Sequence, residues 1–406
     1  MSHFSVLVVT TEEPTDDVLS RVLMPWHEFE CTGLDNEFVQ SIDQTGDKRA
    51  EYEAETKTRL RSPEGELFSP YEDRFYREPT EEEAKAIGPL GGSGWSGSFS
   101  YSSRNWGDER GYRSKVKFVP EGFTEVEVPA REIQSFREWV EDDTGRPVVP
   151  FPETPNKEEH KFGYILLTAD GDVYKVIDRT NPNKKWDWWV LGGRWSGMLA
   201  PAYDPHKDPA NLETCWLCDG TGVRTDGRSG NGCNGCDGTG RKLKQAPKWR
   251  QVGNSAQIAS LSIEAIRAIG GEGAAATYDR RHAIIAGRSI PDFDALAEQH
   301  GHEAGRKLYW ADPVMIDLQK AGETWLDRED MRLLRGTREA AIEAGRLDAL
   351  ATLAVVKDGQ WHERGEMGWF GVVHGEQDRD AWRREVKSMI DSLPPEAWVS
   401  VVDCHI

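Results

Sequence analysis

Apolar positions along this chain come in short, well-separated runs. His3–Thr10 carries Val6, Leu7, Val8 and Val9 in succession, the pattern of a short buried strand. From 11 to about 155 periodicity is weak and Gly and Pro are frequent, so a loop-rich region is expected. One short helix is predicted there over 132–142, and segment 88–111, poor in aliphatics, reads as a long surface loop. The run PVVPFPETP at 147–155 cannot be a regular helix and marks a boundary.

A hairpin signal follows. FGYILLT (162–168) and VYKVI (173–177) flank Asp170-Gly171, a pair suited to a type I′ turn. A second such unit runs from 352 to 363 around Asp358-Gly359. Between the two, segments 255–269, 292–300, 313–320 and 328–344 show helical spacing. A strand is predicted over 369–373, an amphipathic helix over 379–392 ending before Pro394-Pro395, and a last strand over 398–402.

These elements predict an α+β fold. Its mainly antiparallel sheet holds the first and last strands side by side, with helices packed on it. The expected organisation is 1–155, a first strand plus an acidic loop-rich region; 156–205 and 350–406, the α+β core; 206–250, an inserted cysteine-rich module; and 251–349, a helical segment.

Composition narrows the setting. The chain has 406 residues, 30% of them charged, and a net charge of −20. No apolar run approaches the ~20 residues of a membrane helix, and the first ten residues lack a basic n-region and a cleavage site. A soluble protein with no membrane partner is expected. The charge is uneven: residues 1–160 hold 34 acids and 18 bases, leaving 36 and 32 for the rest. An acidic first third argues against phosphate binding through that part, because phosphate affinity comes from Lys and Arg. It also admits a surface that imitates DNA charge. Sixteen Trp are present, several in Gly-rich segments such as GGSGWSGSF around Trp95 and GEMGWFG around Trp369. Such aromatics pack under irregular loops or stack on planar ligands.

The strongest chemical signal is Cys215-Trp-Leu-Cys218-Asp-Gly-Thr-Gly, repeated as Cys233-Asn-Gly-Cys236-Asp-Gly-Thr-Gly. Two CxxC turns, with fourteen residues between the inner cysteines, supply four thiolates for one structural Zn²⁺. Nothing suggests export, which disfavours disulfides. Between Cys215 and Arg250 there are seven bases and three acids, and RKLKQAPKWR, from Arg241 to Arg250, is the basic decapeptide of an acidic chain. That tail and the zinc module are the candidate contact for nucleic acid or an acidic partner.

Two further constellations involve the remaining cysteines. HEFEC holds His27, Glu28, Glu30 and Cys31, and the last strand ends in Asp403-Cys404-His405. If the terminal strands pair, these residues and His3 could converge as a Cys nucleophile or a second metal site, with Cys31, His27, Glu28, His405 and Asp403 as candidate catalytic residues. In KWDWWVLGGRWSG (185–197), Asp187 can pair with Arg194, or Arg194 can fork onto a carboxylate or phosphate over a Trp face. Asp187, Trp188, Arg194 and Trp195 are therefore candidate ligand-binding residues. No Walker lysine or GxGxxG motif supports a nucleoside-triphosphate site.

Segment 215–240 resembles the cysteine-rich domain of DnaJ-type chaperones. That family carries four CxxCxGxG units and binds two zinc ions, so two units imply one ion; no His-Pro-Asp tripeptide is present, and co-chaperone activity is not implied. The opening MSHF, HEFECTG (27–33), KWDWWVLGGRWSG, GEMGWFG (365–371) and closing VDCHI (402–406) resemble an uncharacterised protein family encoded by bacteriophages and bacterial mobile elements. The resemblance implies provenance and not a reaction. The readings that follow are a zinc-binding phage protein in the bacterial cytoplasm that binds a host macromolecule or nucleotide-like ligand; a hydrolase or transferase built on the HEFEC and DCH clusters; and an acidic DNA mimic.

Overall fold

The computed structural model describes residues 2–88, 93–96, 98–107, 110–224, 232–244, 252–323, 326–368 and 372–406. They form two compact units, one from 1–34 with 181–406 and the other from 35–180. Both mix helices with sheets, and the fold is α+β. Among the described residues two ladders are parallel and the others antiparallel.

The first unit is built on β1 (His3–Thr10), α1 (Asp16–Leu23), β2 (Trp188–Leu191), β3 (Ser255–Gln257), α2 (Ile263–Ile285), α3 (Arg338–Asp348), β4 (Ala354–Lys357), β5 (Gln360–Glu363), α4 (Arg379–Asp391) and β6 (Trp398–His405). The sheet order is β2-β6-β1-β4-β5, with β3 also pairing β6. β1 and β6 pair antiparallel over eight positions, from His3 opposite His405 to Thr10 opposite Trp398. The first and last strands thus lie side by side, and β6 runs three residues beyond the predicted strand.

Period-two alternation then divides the sheet residues between two cores. Phe4, Val6, Val8, Val402 and Cys404 bury against Leu19 and Leu23 of α1 and against Trp26 and Trp186. Leu7, Val399 and Val401 bury against Ile266 of α2 and Trp382, Val386 and Ile390 of α4. Thr15 caps α1 by accepting the Val18 N–H, and Asp16 and Asp17 occupy its first turn. α2 and α3 cross at glycine: a Cβ on Gly270 would stand 2.4 Å from the Gly345 carbonyl.

Several segments depart from the sequence reading. Residues 255–257 are a strand, and the helix begins after them at Ile263. The helical pattern of 328–344 is two helices, Arg328–Arg335 and α3, because Gly336 breaks the run and Thr337 caps the second. In the second hairpin both turn residues, Asp358 and Gly359, have positive φ, as a type I′ turn requires; in the first, Gly171 does and Asp170 does not. Of the predicted strand over 369–373, residues 369–371 lie outside the described set, and Val373–His374 pairs with Glu366–Met367.

In the second unit the weakly periodic region forms strands. Gly163–Leu167 and Val173–Thr180 make the expected hairpin, extended by Gln40–Asp43 and by Val148–Val149. Tyr52, Trp139, Val140, Ile165, Leu167 and Val176 form its core. Thr56–Arg61 pairs with Thr124–Pro129, and Ser100–Asn105 with Tyr112–Lys117. Their sequences, TKTRLR, TEVEVP, SYSSRN and YRSKVK, carry few aliphatics, so the strand signal is faint.

Candidate metal centre and terminal-strand cluster

The cysteine module is two copies of one turn, related residue by residue. Asp219 and Asp237 share φ 47, and Gly222 and Gly240 have φ 75 and 73. Thr221 donates its hydroxyl to the Cys218 carbonyl at 2.6 Å, and Thr239 donates to Cys236 at the same distance. The turns interlock: Cys215 donates its N–H to the Gly240 carbonyl and Cys233 donates to Gly222. A Cβ at Gly222 or Gly240 would strike the opposite turn at 2.2 or 2.1 Å, so both positions need glycine. A ladder of Leu212–Thr214 with Arg241–Leu243 closes the base.

This backbone brings Cys215, Cys218, Cys233 and Cys236 together, all buried, with ligand atoms within 4.8 Å of one another. The sulfur pairs Cys215–Cys233 and Cys218–Cys236 stand at 3.8 and 3.7 Å, too far for a disulfide. A metal bound at ~2.3 Å by four thiolates sets sulfur–sulfur edges of roughly 3.8 Å. The tetrad could hold one metal ion. Burial raises the Cys215 thiol pKa and pushes that of Cys233 up to about 11, whereas at Cys218 burial is outweighed by the Gly222 backbone N–H and the neighbouring thiols, which bring it down to about 7. The Gly240 N–H also points at the Cys236 sulfur, at 3.2 Å.

Of the basic flank, Arg241, Lys242 and Lys244 are described, while 245–250 and Arg228 lie outside the described residues. Lys242 ion-pairs with Glu213 at 3.2 Å and stands 5.6 Å from the Trp216 ring, which is 67% exposed.

At the start of β1 and the end of β6, alternation sorts the second group of candidates. Asp403 and His405 share a face with His3, whereas Cys404 between them points into the opposite core. His3 Nδ1 meets Asp403 Oδ1 at 2.9 Å, and the other Asp403 oxygen accepts the Arg194 backbone N–H. His405 Nδ1 meets both Asp187 oxygens, at 2.8 and 3.0 Å. Asp187 is therefore engaged by His405 and not by Arg194, whose exposed guanidinium has no partner among the described residues. Gly193 makes room for this cluster, since a Cβ there would lie 2.3 Å from Asp403. Trp188 stacks on His405 and stays 42% exposed, while Trp195 packs into the core beside α4.

HEFEC makes hydrogen bonds of its own, while the Asp187 charge acts on both His27 and Cys31. His27 is buried against the Trp186 ring; its Nε2 meets Thr32, its Nδ1 has no partner among the described residues, and burial lowers its pKa. Cys31 donates its S–H to Glu28 at 3.4 Å, and desolvation with the Glu28 carboxylate pushes its pKa up to about 11. Lys184 bridges Glu30 and Glu28 at 2.6 and 3.4 Å. This arrangement opposes thiolate formation at Cys31.

One cavity escaped the sequence reading. It has a volume of about 540 Å³ and opens between Phe293–His300, His302–Ala311 and Arg328–Arg335, with Phe293, Tyr309, Trp310, Arg306, Arg328 and Arg332 among its lining residues. The i, i+4 spacing of Arg328 and Arg332 was its visible trace. Among the described residues no helix is long and apolar enough to cross a membrane. Comparison with protein-family models, curated proteins and solved structures finds no match to this chain.

Proposed function

We propose that this chain is a zinc-binding protein of bacteriophage or mobile-element origin, acting in the bacterial cytoplasm, whose cysteine module presents a contact surface to nucleic acid or a host protein. The observation that carries the metal assignment is the buried tetrad, with sulfur–sulfur edges of 3.7 and 3.8 Å. Four thiolates in a closed tetrahedron suit Zn²⁺ and leave no open position, so the ion is structural. Exposed Trp216 beside Lys242, continued by the basic residues up to Arg250, supports the contact role.

Metal analysis of reduced, purified protein is expected to find one zinc per chain, lost in Cys233→Ser. Finding no zinc would sink the reading. For the contact role, Trp216→Ala and Lys242→Glu are expected to weaken capture of the partner without releasing zinc.

The hydrolase or transferase reading has one favourable observation, the paired His–Asp contacts at the ends of β1 and β6. The acidic-mimic reading has less support. Many acids of the 35–180 unit are ion-paired, among them Asp35 with Arg179, Glu78 with Arg113 and Glu83 with Arg77, which leaves fewer free charges to imitate phosphates.

A further inference from the structure

The cluster at the ends of β1, β2 and β6 contains two carboxylate-oriented imidazoles side by side. We propose that His3 and His405 form a second metal site, independent of the cysteine module, which takes one divalent transition-metal ion of borderline softness, such as Ni²⁺ or Zn²⁺, through their Nε2 atoms. Water or an external ligand fills the remaining positions.

Tautomer chemistry is the first support. A carboxylate only accepts hydrogen bonds, so Nδ1 of His3 facing Asp403 and Nδ1 of His405 facing Asp187 each carry the proton in the neutral ring. Each Nε2 is then the lone-pair atom. Neither Nε2 has a hydrogen-bond partner among the described residues, and neither is a sealed, unsatisfied atom. Carboxylate on one nitrogen and metal on the other is the arrangement that fixes and strengthens histidine ligands.

Geometry is the second. His3 and His405 are directly opposite across an antiparallel ladder, on one face. Their ring centres are 5.1 Å apart at 79°. Two imidazoles bound cis to one ion at ~2.0–2.1 Å place their ring centres roughly 5 Å apart. Trp188 holds both rings, stacked on His405 at 4.9 Å and edge-on to His3 at 5.2 Å.

Charge is the third. The side chains of Asp403 and Asp187 are only 3% and 16% exposed, and each meets the Nδ1 of one of these two histidines. No Lys or Arg side chain neutralises either carboxylate among the described residues. Two carboxylates with little exposure, each facing the Nδ1 side of a ring, favour a dication bound on the Nε2 side.

The test uses tag-free full-length protein, zinc-loaded at the cysteines and titrated with Ni²⁺ by equilibrium dialysis. One Ni²⁺ per chain is expected beyond the resident zinc. His3→Ala and His405→Ala should each weaken Ni²⁺ binding at least 100-fold, and Asp187→Asn about 10–100-fold, with circular dichroism unchanged. Cys233→Ser should lose zinc and keep the Ni²⁺ site, which separates this proposal from the cysteine assignment. His405 is nearly buried, so if its variant fails to fold, His3→Ala decides the matter. Absence of the Ni²⁺ equivalent in wild type, or undiminished affinity in His3→Ala, overturns the proposal.

Discussion

Single residues show where chemistry is legible in order along the chain and where it is not. The cysteine tetrad is readable because all four ligands, and the glycines that let the turns interlock, lie within 26 positions. Asp403, Cys404 and His405 are adjacent in sequence, yet alternation along β6 sends the thiol to one face and the other two side chains to the opposite one. Of their partners, His3 is expected from the pairing of the terminal strands, whereas Asp187 as the partner of His405 is supplied only by strand register. Cys31 and Cys404 carry a testable consequence. At pH 8 a thiol with a pKa of about 11 is roughly 100-fold less ionised than one at its ordinary value of 9.0. Alkylation of Cys31 by iodoacetamide, followed by mass spectrometry, is expected to be slowed by about that factor and to quicken in Glu28→Gln. Cys404, buried with its pKa raised by desolvation and Asp403, is expected to react only on unfolding. Fast labelling of Cys31 at pH 8 would contradict the geometry around it.

At the level of elements, the strong signals were aliphatic runs and Asp-Gly turns. β1, α4 and the hairpin at 354–363 follow from them almost to the residue. Polar strands such as Tyr112–Lys117 escaped because their pairing is made of backbone hydrogen bonds and charged cross-strand neighbours, which leave no apolar alternation to read. Packing of the helices also rests on charge that spacing alone does not reveal. Arg383 of α4 is buried and ion-pairs with Asp348 of α3 at 2.6 Å and with Glu329 of the preceding helix at 2.6 Å. Hydrogen bonds from Arg332 and Arg383 hold the Glu329 carboxyl down to about 2, against an ordinary value of 4.5. A lowered pKa means the fold favours the ionised form, so this contribution is full above about pH 4.5 and is lost as pH falls toward about 2. Urea melts of wild type and Glu329→Gln should therefore differ above pH 4.5, wild type being the more stable, and converge near pH 2. A difference that persists unchanged to pH 2 would show that the ion pair is not its source.

For the whole molecule, the charge distribution acquires a structural meaning. The 35–180 unit holds 31 acids and 20 bases, a net −11 of the total −20. Its first and last strands pair with each other, Gln40 opposite Thr180, so the chain enters and leaves that unit at neighbouring points. An excursion whose two ends meet is one the rest of the fold tolerates losing, because closing the gap costs little loop entropy. The remaining chain keeps its own sheet and both of its sheet cores, since every residue of those clusters falls in 2–34 or 181–406. Replacing 35–180 by a short Gly/Ser linker is therefore expected to leave a protein that still melts cooperatively and retains its cysteine-bound metal. The excised 35–180 segment, with the aromatic core of Tyr52, Phe136 and Trp139, should fold alone and show a near-ultraviolet circular dichroism signal. Retention of metal by a linker variant with no cooperative melt would mean that the module folds by itself while the sheet depends on the acidic unit. Division of the chain into two separable bodies would then have to be abandoned.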